Sequence, residues 1–358
     1  MSYSTYKEDA AAISAVQRLA AKRRAPGVPG ELAAHLPLLF DQIQGEAGLF
    51  APTLVERALS QAQGDVGRAV GLLRGWAAVL PHLVTPTLSE EDVRVVRRLT
   101  PAFRNPEHGQ YLGASPDHAP RLLQTDDTPE QTADVPEPEH AVSDEPGSEA
   151  TDGPCAQKLL RFPRAVSDLE TSGILKHGSG THSAPHSALL ATLAQGDTGA
   201  LTTIAYAAAR TFGSQREPIV GELRAGYAPV QVVHPDLGVQ ITLGEVPVCT
   251  AEFIVEHRYP GQKDAPAARF YLGAGTTIGH LERRAISAAL LDATCSRDGA
   301  ADDVGLGMLG DPELLAPLLD GAAACGHIEH FKLPHHVQFQ SKLDPDASAY
   351  ESVEDQEA

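Results

Sequence analysis

The chain has 358 residues, 42% of them hydrophobic and only 5% aromatic, enough for one or two domains with their own cores. Its formal charge is −19, from 28 basic and 47 acidic residues, which excludes nucleic acid as a partner held through a general electrostatic field. No uninterrupted apolar run reaches the about 18 residues a membrane span needs, so no membrane partner is expected. Cys155, Cys249, Cys295 and Cys325 are far apart and form no C-x-x-C pair, which points away from a disulfide framework. Lys7, Glu8 and Asp9 stand where a signal peptide would need an apolar run, so the expected location is cytoplasmic. Seven Lys against twenty-one Arg on an acidic chain suit a high-salt cytoplasm. A GC-rich genome with one acidic insertion gives the same composition.

In chain order, the first elements read as helices. Residues 10–23 and 31–44 carry apolar side chains at helical spacing, with Leu32, Leu36, Leu39 and Phe40 on one side. Thr53 to Glu56 has the form of a capping box for a helix that Gly64 stops. Asp65 is placed to cap "VGRAVGLLRGWAAVL", and residues 89–92 look like another cap, opening a helix over "EEDVRVVRRL". Short connections predict a small antiparallel bundle over 1–122. From Leu122 to Gln157 there is no Lys or Arg, and "TDDTPEQTADVPEPEHAVSDEPGSEATDGP" holds ten acids and five prolines. Such a segment cannot offset its ordering entropy, so 123–157 is expected to be a disordered acidic insertion.

The second half, 158–343, reads as an α+β domain with a mainly antiparallel sheet, followed by an acidic tail over 344–358. "SALLATLAQ" and "DTGALTTIAYAAARTFG" are expected helices. "APVQVVHPDLGVQITLGEVPVCTAEFIVEH" is rich in Val and Ile with a natural turn at Pro235 to Gly238, which predicts two or three strands. "YLGAGTTIGHLERR" matches no phosphate-binding fingerprint and reads as a tight turn into a helix, with Arg283 and Arg284 solvated. "PELLAPLLDGAAAC" predicts a helix ending near Cys325, and "HVQFQSKL" a strand.

Two sets of residues carry possible chemistry. The first is the histidine cluster of "CGHIEHFKLPHHVQFQ". Pro334 separates His330 and His335, so their imidazoles can converge on one divalent metal, with Cys325 and Glu329 as spare ligands. The alternative is that these are polar surface histidines. The second set is the strand acids Glu222, Glu245, Glu252 and Glu256, with Arg224 beside Glu222. Carboxylates near a pocket can stabilise an oxocarbenium-like centre, as glycosidic cleavage requires. Half-exposed strand carboxylates paired with arginine would look the same in sequence.

The blocks "HGQYLGASPDHAPRLLQ", "IAYAAARTFG" with "VGELRAGYAPVQVV", "LGVQITLGEVPVCTAEFI" and "HFKLPHHVQFQ" occur in an order and spacing that resembles the PhnI family, the nucleosidase-type subunits of the carbon–phosphorus lyase complex. The resemblance covers most of the chain outside the acidic insertion. It implies that the protein, with subunits G, H and L, replaces adenine at ribose C1 of MgATP with an alkylphosphonate, giving a ribose 1-alkylphosphonate 5-triphosphate. It also implies hydrolysis of ATP or GTP to free base, and a core assembly with subunits G, H and J, the last a radical S-adenosylmethionine lyase. His330 and His335 match the family's zinc pair at the interface with subunit J. Within this frame Glu222 and Glu245 are the candidate catalytic carboxylates and Arg224 the candidate substrate-binding residue. The other reading is a non-catalytic metal-binding scaffold that docks the radical lyase. The chain departs from the family pattern at "YSTYKEDAAA", at "THSAPHSALL", where two arginines are missing, and at Glu217-Pro218.

Overall fold

The structure is a computed structural model. It describes residues 14–19, which are helical, 31–81, 92–106, 109–113, 186–211, 218–258, 268–295 and 311–332, with a few isolated positions besides. The acidic insertion, "HVQFQSKL" and the acidic tail lie outside these residues.

After residues 14–19 the next elements are helices: α1 (Glu31–His35), α2 (Pro37–Ala47), α3 (Pro52–Gln61) and α4 (Val66–Ala78). The expected 31–44 helix is broken at Leu36, whose φ of −129° is not helical. Pro37 explains the break, because its ring disfavours helical backbone in the preceding residue. The capping box at Thr53 does not form. The N-cap is Ala51, and Pro52 at the first helical position starts α3 early. Asp65 does cap α4, accepting the Arg68 N–H at 2.9 Å. Phe40, Ile43, Val55, Leu59, Val70 and Leu73 close the small core of this bundle.

The predicted helix over "EEDVRVVRRL" is instead a strand, β1 (Arg94–Leu99). The reason is tertiary. Val95, Arg97 and Arg98 are all buried, and Arg98 and Val95 face one side of a sheet while Arg97 faces the other. A β-branched run with a waiting partner strand overrides weak helical propensity. The following elements are α5 (His186–Gln195), α6 (Thr198–Thr211), β2 (Ile219–Val233), β3 (Gln240–Arg258), β4 (Ala268–Ile278), α7 (Glu282–Cys295), α8 (Pro312–Leu319) and α9 (Gly321–His330). The sheet is fully antiparallel in the order β1-β2-β3-β4. It confirms the α+β class, and its edge strand β1 comes from the first 122 residues.

"YLGAGTTI" is therefore strand, not turn. Gly273 and Gly275 are where α7 lies closest to the sheet. A Cβ on either would run into the Ala289 or Ala285 carbonyl oxygen of α7. The chain turns only at Gly279, with φ of 89°. Helices α5 to α8 cover this face, and Leu189, Leu193, Leu201, Leu223, Phe253, Leu291, Leu315 and Leu319 fill the layer. Each fully buried Leu contributes roughly 1.5–3 kcal/mol.

The expected solvation of Arg284 is also corrected. It is fully buried. Its guanidinium donates to the carbonyls of Gly196 at 2.6 Å and Ala194 at 2.7 Å, and to the hydroxyls of Thr198 and Thr277. Glu46 of α2 lies 3.8 Å away as counter-charge. Burial still pushes the guanidinium down to about 10. Arg284 thus ties the bundle, the α5–α6 junction and the sheet together. "PELLAPLLDGAAAC" is two helices, because Asp320 ends α8 and caps α9 by accepting the Ala323 N–H at 3.1 Å. Among the described residues no helix is long and apolar enough to cross a membrane.

Candidate active site

The second face of the sheet has a different character. Antiparallel register puts Arg98 opposite Arg224, Arg224 opposite Thr250, and Glu222 opposite Glu252. Since side chains alternate, Arg98, Glu222, Arg224, Thr250 and Glu252 share the face turned away from the helices. All five are buried. Arg98 Nε donates to Glu222 Oε1 at 2.6 Å, and both side chains are 2% exposed. Nη1 of Arg224 and Oγ1 of Thr100 are buried and have no hydrogen-bond partner among the described residues.

The segment after β1 turns back along the free edge of that strand. Arg98 and Tyr111 exchange both backbone hydrogen bonds, at 2.9 and 3.1 Å. The Gly109 carbonyl accepts from Arg98 Nη1 at 2.8 Å, and Gln110 Oε1 accepts the Thr100 N–H at 3.1 Å. Tyr111 therefore extends the row Arg98–Arg224–Thr250 at its outer end, with 36% exposure. Burial pushes its phenol upward, against the pull of Arg98 and Arg224. Toward the hairpin tip the same face turns apolar, with Ala228, Val246 and Val248 buried together.

Glu222 and Arg224 are thus brought together as neighbours on one face. Glu245 is not with them. It pairs with Pro229 in the register, which places it on the opposite face of the sheet. There it accepts from Arg94 Nη2 at 2.8 Å, with both side chains nearly half exposed. Arg94 also stacks over Tyr227, 4.7 Å from the ring centroid. His330 closes the last turn of α9, and His335 lies outside the described residues. Glu329 forms an ion pair with Arg68 of α4, which holds its carboxyl below the usual range. Cys325 is exposed. Among the described residues no three His, Cys, Asp or Glu side chains gather into a metal cluster. No side chain of α9 is buried, and Ile328 and Phe331 stand out from it.

Sequence reasoning missed Arg98, Thr100 and Tyr111 as parts of the site. The signal lay in "VRVVRRLT": read as a strand it places Arg98 and Thr100 on one face, although the irregularity between Val95 and Arg97 breaks the alternation before them.

Comparison with known proteins gives the context. A family model described as "Bacterial phosphonate metabolism protein (PhnI)" matches residues 3–348. The putative C–P lyase subunit protein HtxH of Stutzerimonas stutzeri is 34% identical over 355 residues, covering 94% of this chain and 91% of its own. Two proteins named alpha-D-ribose 1-methylphosphonate 5-triphosphate synthase subunit PhnI are each 30% identical. That of Rhizobium meliloti (strain 1021) covers 96% of this chain and 93% of its own, and that of Escherichia coli (strain K12) 87% and 86%. The chain belongs to the PhnI family of bacterial phosphonate metabolism proteins.

Proposed function

We propose that this protein is the nucleosidase-type subunit of a carbon–phosphorus lyase complex, working in the cytoplasm on MgATP and an alkylphosphonate. Adenine is displaced at ribose C1, and the product is a ribose 1-alkylphosphonate 5-triphosphate. Membership in the PhnI family supports the pathway, as do the names of its relatives. The observation that carries the chemistry is the buried Glu222–Arg98 pair with Arg224 beside it on one sheet face. Displacement at an anomeric carbon passes through an oxocarbenium-like transition state, which a carboxylate in a dry site stabilises strongly. Arg98 orients that carboxylate. Arg224 has a guanidinium N–H to offer a phosphate or phosphonate oxygen.

The test is to incubate the protein, alone and assembled with subunits G, H, J and L, with MgATP and to follow free adenine. The expected result is adenine with ribose triphosphate, or with the phosphonate ester when an alkylphosphonate is present. ADP as the product, or no adenine from either preparation, overturns the reading.

The exposed helix α9 favours a second role alongside the first. A helix that packs on α4 without a fully buried residue and leaves Ile328 and the adjoining Phe331 protruding suits a partner surface. His330 in its last turn and His335 beyond it would hold zinc there, with the remaining positions filled by water or by the radical lyase subunit. Zinc is expected to bind the assembled complex more tightly than the isolated chain. Replacing both histidines with Ala should abolish that difference in metal analysis and leave adenine release nearly unchanged.

A further inference from the structure

Glu222 and Glu252 stand where a sheet built only for stability would not put them. They are direct cross-strand partners and are 2% and 8% exposed. Like charges facing each other across a ladder destabilise it, and buried carboxylates are costly to desolvate. Arg98 offsets part of this by bonding Glu222. Arg224 and Thr100 add two buried polar atoms without hydrogen-bond partners among the described residues. Buried polar groups are nearly always bonded, so two unbonded ones beside two facing carboxylates mark a place shaped for something other than folding.

We infer that Glu252 is the second catalytic carboxylate of this protein, acting with Glu222 on the ribose ring, while Arg224 and Thr100 hydrogen-bond the substrate's oxygens. The inference rests on the glycosyl-transfer reading above and specifies its site. Directly opposed residues have Cβ atoms roughly 4.5–5.5 Å apart. Glutamate side chains reaching out from that spacing can flank a single sugar, as the carboxyl pairs of glycosidases do at roughly 5–9.5 Å. Glu245 cannot complete this pair, because it lies on the other face in an exposed ion pair with Arg94.

The step balances without an external reagent. The C1′–N9 bond breaks and its electron pair goes to the purine. A C1′–O bond forms from an oxygen of the phosphonate monoanion, whose proton passes to the departing purine. In hydrolysis, water supplies both the oxygen and the proton. The carboxylates carry the developing positive charge at C1′ and are unchanged at the end. Arg224 is suited to the anionic oxygen of the nucleophile, and Thr100 to a ribose hydroxyl.

The experiment uses the assembled complex with MgATP, with and without methylphosphonate. The variants are Glu252→Gln, Glu252→Asp and Glu245→Gln, each also followed by thermal melting. Glu252→Gln is expected to lower kcat for adenine release by about 10²-fold or more while KM moves only a few-fold. Its melting curve should show a fully folded protein at the assay temperature, so that the rate loss is read on folded enzyme. Glu252→Asp should recover part of the rate, which a purely structural role would not predict. Glu245→Gln should stay within about twofold of the parent, as expected for an exposed pair. A parent that releases adenine beside an equally active Glu252→Gln variant overturns this assignment alone. A parent that releases none overturns the glycosyl-transfer reading and this assignment with it.

Discussion

The two faces of one sheet divide the protein's labour. The helix-covered face is built from Leu, Ala and Gly, with α7 so close that Gly273 and Gly275 have no room for a side chain. The opposite face carries Arg98, Glu222, Arg224 and Glu252 in neighbouring register positions. The first face gains from burial at roughly 25 cal/mol per Å² of apolar surface, and the second spends part of that gain on desolvated charge. Charge is buried on the helical side as well, at Arg284 and Asp292, but there it is bonded into the scaffold. Asp292 caps the Ala274 N–H on edge strand β4 at 2.8 Å and meets His186 at 2.5 Å. Five substitutions break or sharpen this comparison.

The largest effect belongs to the close-packed face. Gly273→Val would drive its side chain into the backbone of α7 at Ala289 and Ala293. A loss above about 4 kcal/mol is expected, seen as insoluble protein or as a collapsed urea midpoint.

Next comes a matched pair of buried arginines. Arg98→Met and Arg284→Met each remove the counter-charge of a buried glutamate, Glu222 or Glu46. Each is expected to cost about 3–5 kcal/mol in urea melts. They should separate in kinetics. The Arg98 variant loses adenine release even at temperatures where it is fully folded, and the Arg284 variant keeps it. Equal activity in both would erase the distinction between the faces.

A smaller change, about 1 kcal/mol, is expected for Asp65→Ala, which removes the N-cap of α4 far from both faces. Adenine release should not move, and a measurable rate loss would tie the bundle to the site.

The smallest effect is expected at Asp41, where the bundle meets the loop before α7 and accepts the His280 N–H at 2.9 Å. Burial raises its carboxyl above the usual value, against the opposing pull of the His280 hydrogen bond and charge. The folded state then holds its proton to higher pH than the unfolded state does. Stability therefore falls as pH rises from the ordinary carboxylate value upward. Asp41→Asn keeps the acceptor and removes the titration. Its melting temperature at neutral pH should hold or rise, and the decline as pH rises above the ordinary carboxylate value should flatten. A lower melting temperature at pH 7 would contradict the burial cost.

Much of this protein is written locally in its sequence. The α+β class, helices α4 to α7, the long β2–β3 hairpin with its turn at Pro235 to Gly238, and the Asp65 cap follow from periodicity, turn residues and capping chemistry. These act within a few residues, so a single stretch of chain contains the whole signal. The four motif blocks likewise placed the chain in its family. Only tertiary structure decided the rest. It made "VRVVRRL" a strand by giving it β2 to pair with, and it buried Arg284 by surrounding it with carbonyls from α5 and the turn into α6. It also moved Glu245 to the far face and set Glu252 against Glu222. Register is a relation between strands that are distant along the chain, and a one-residue shift exchanges the faces. Which acids share a site is therefore fixed only once the strands have paired.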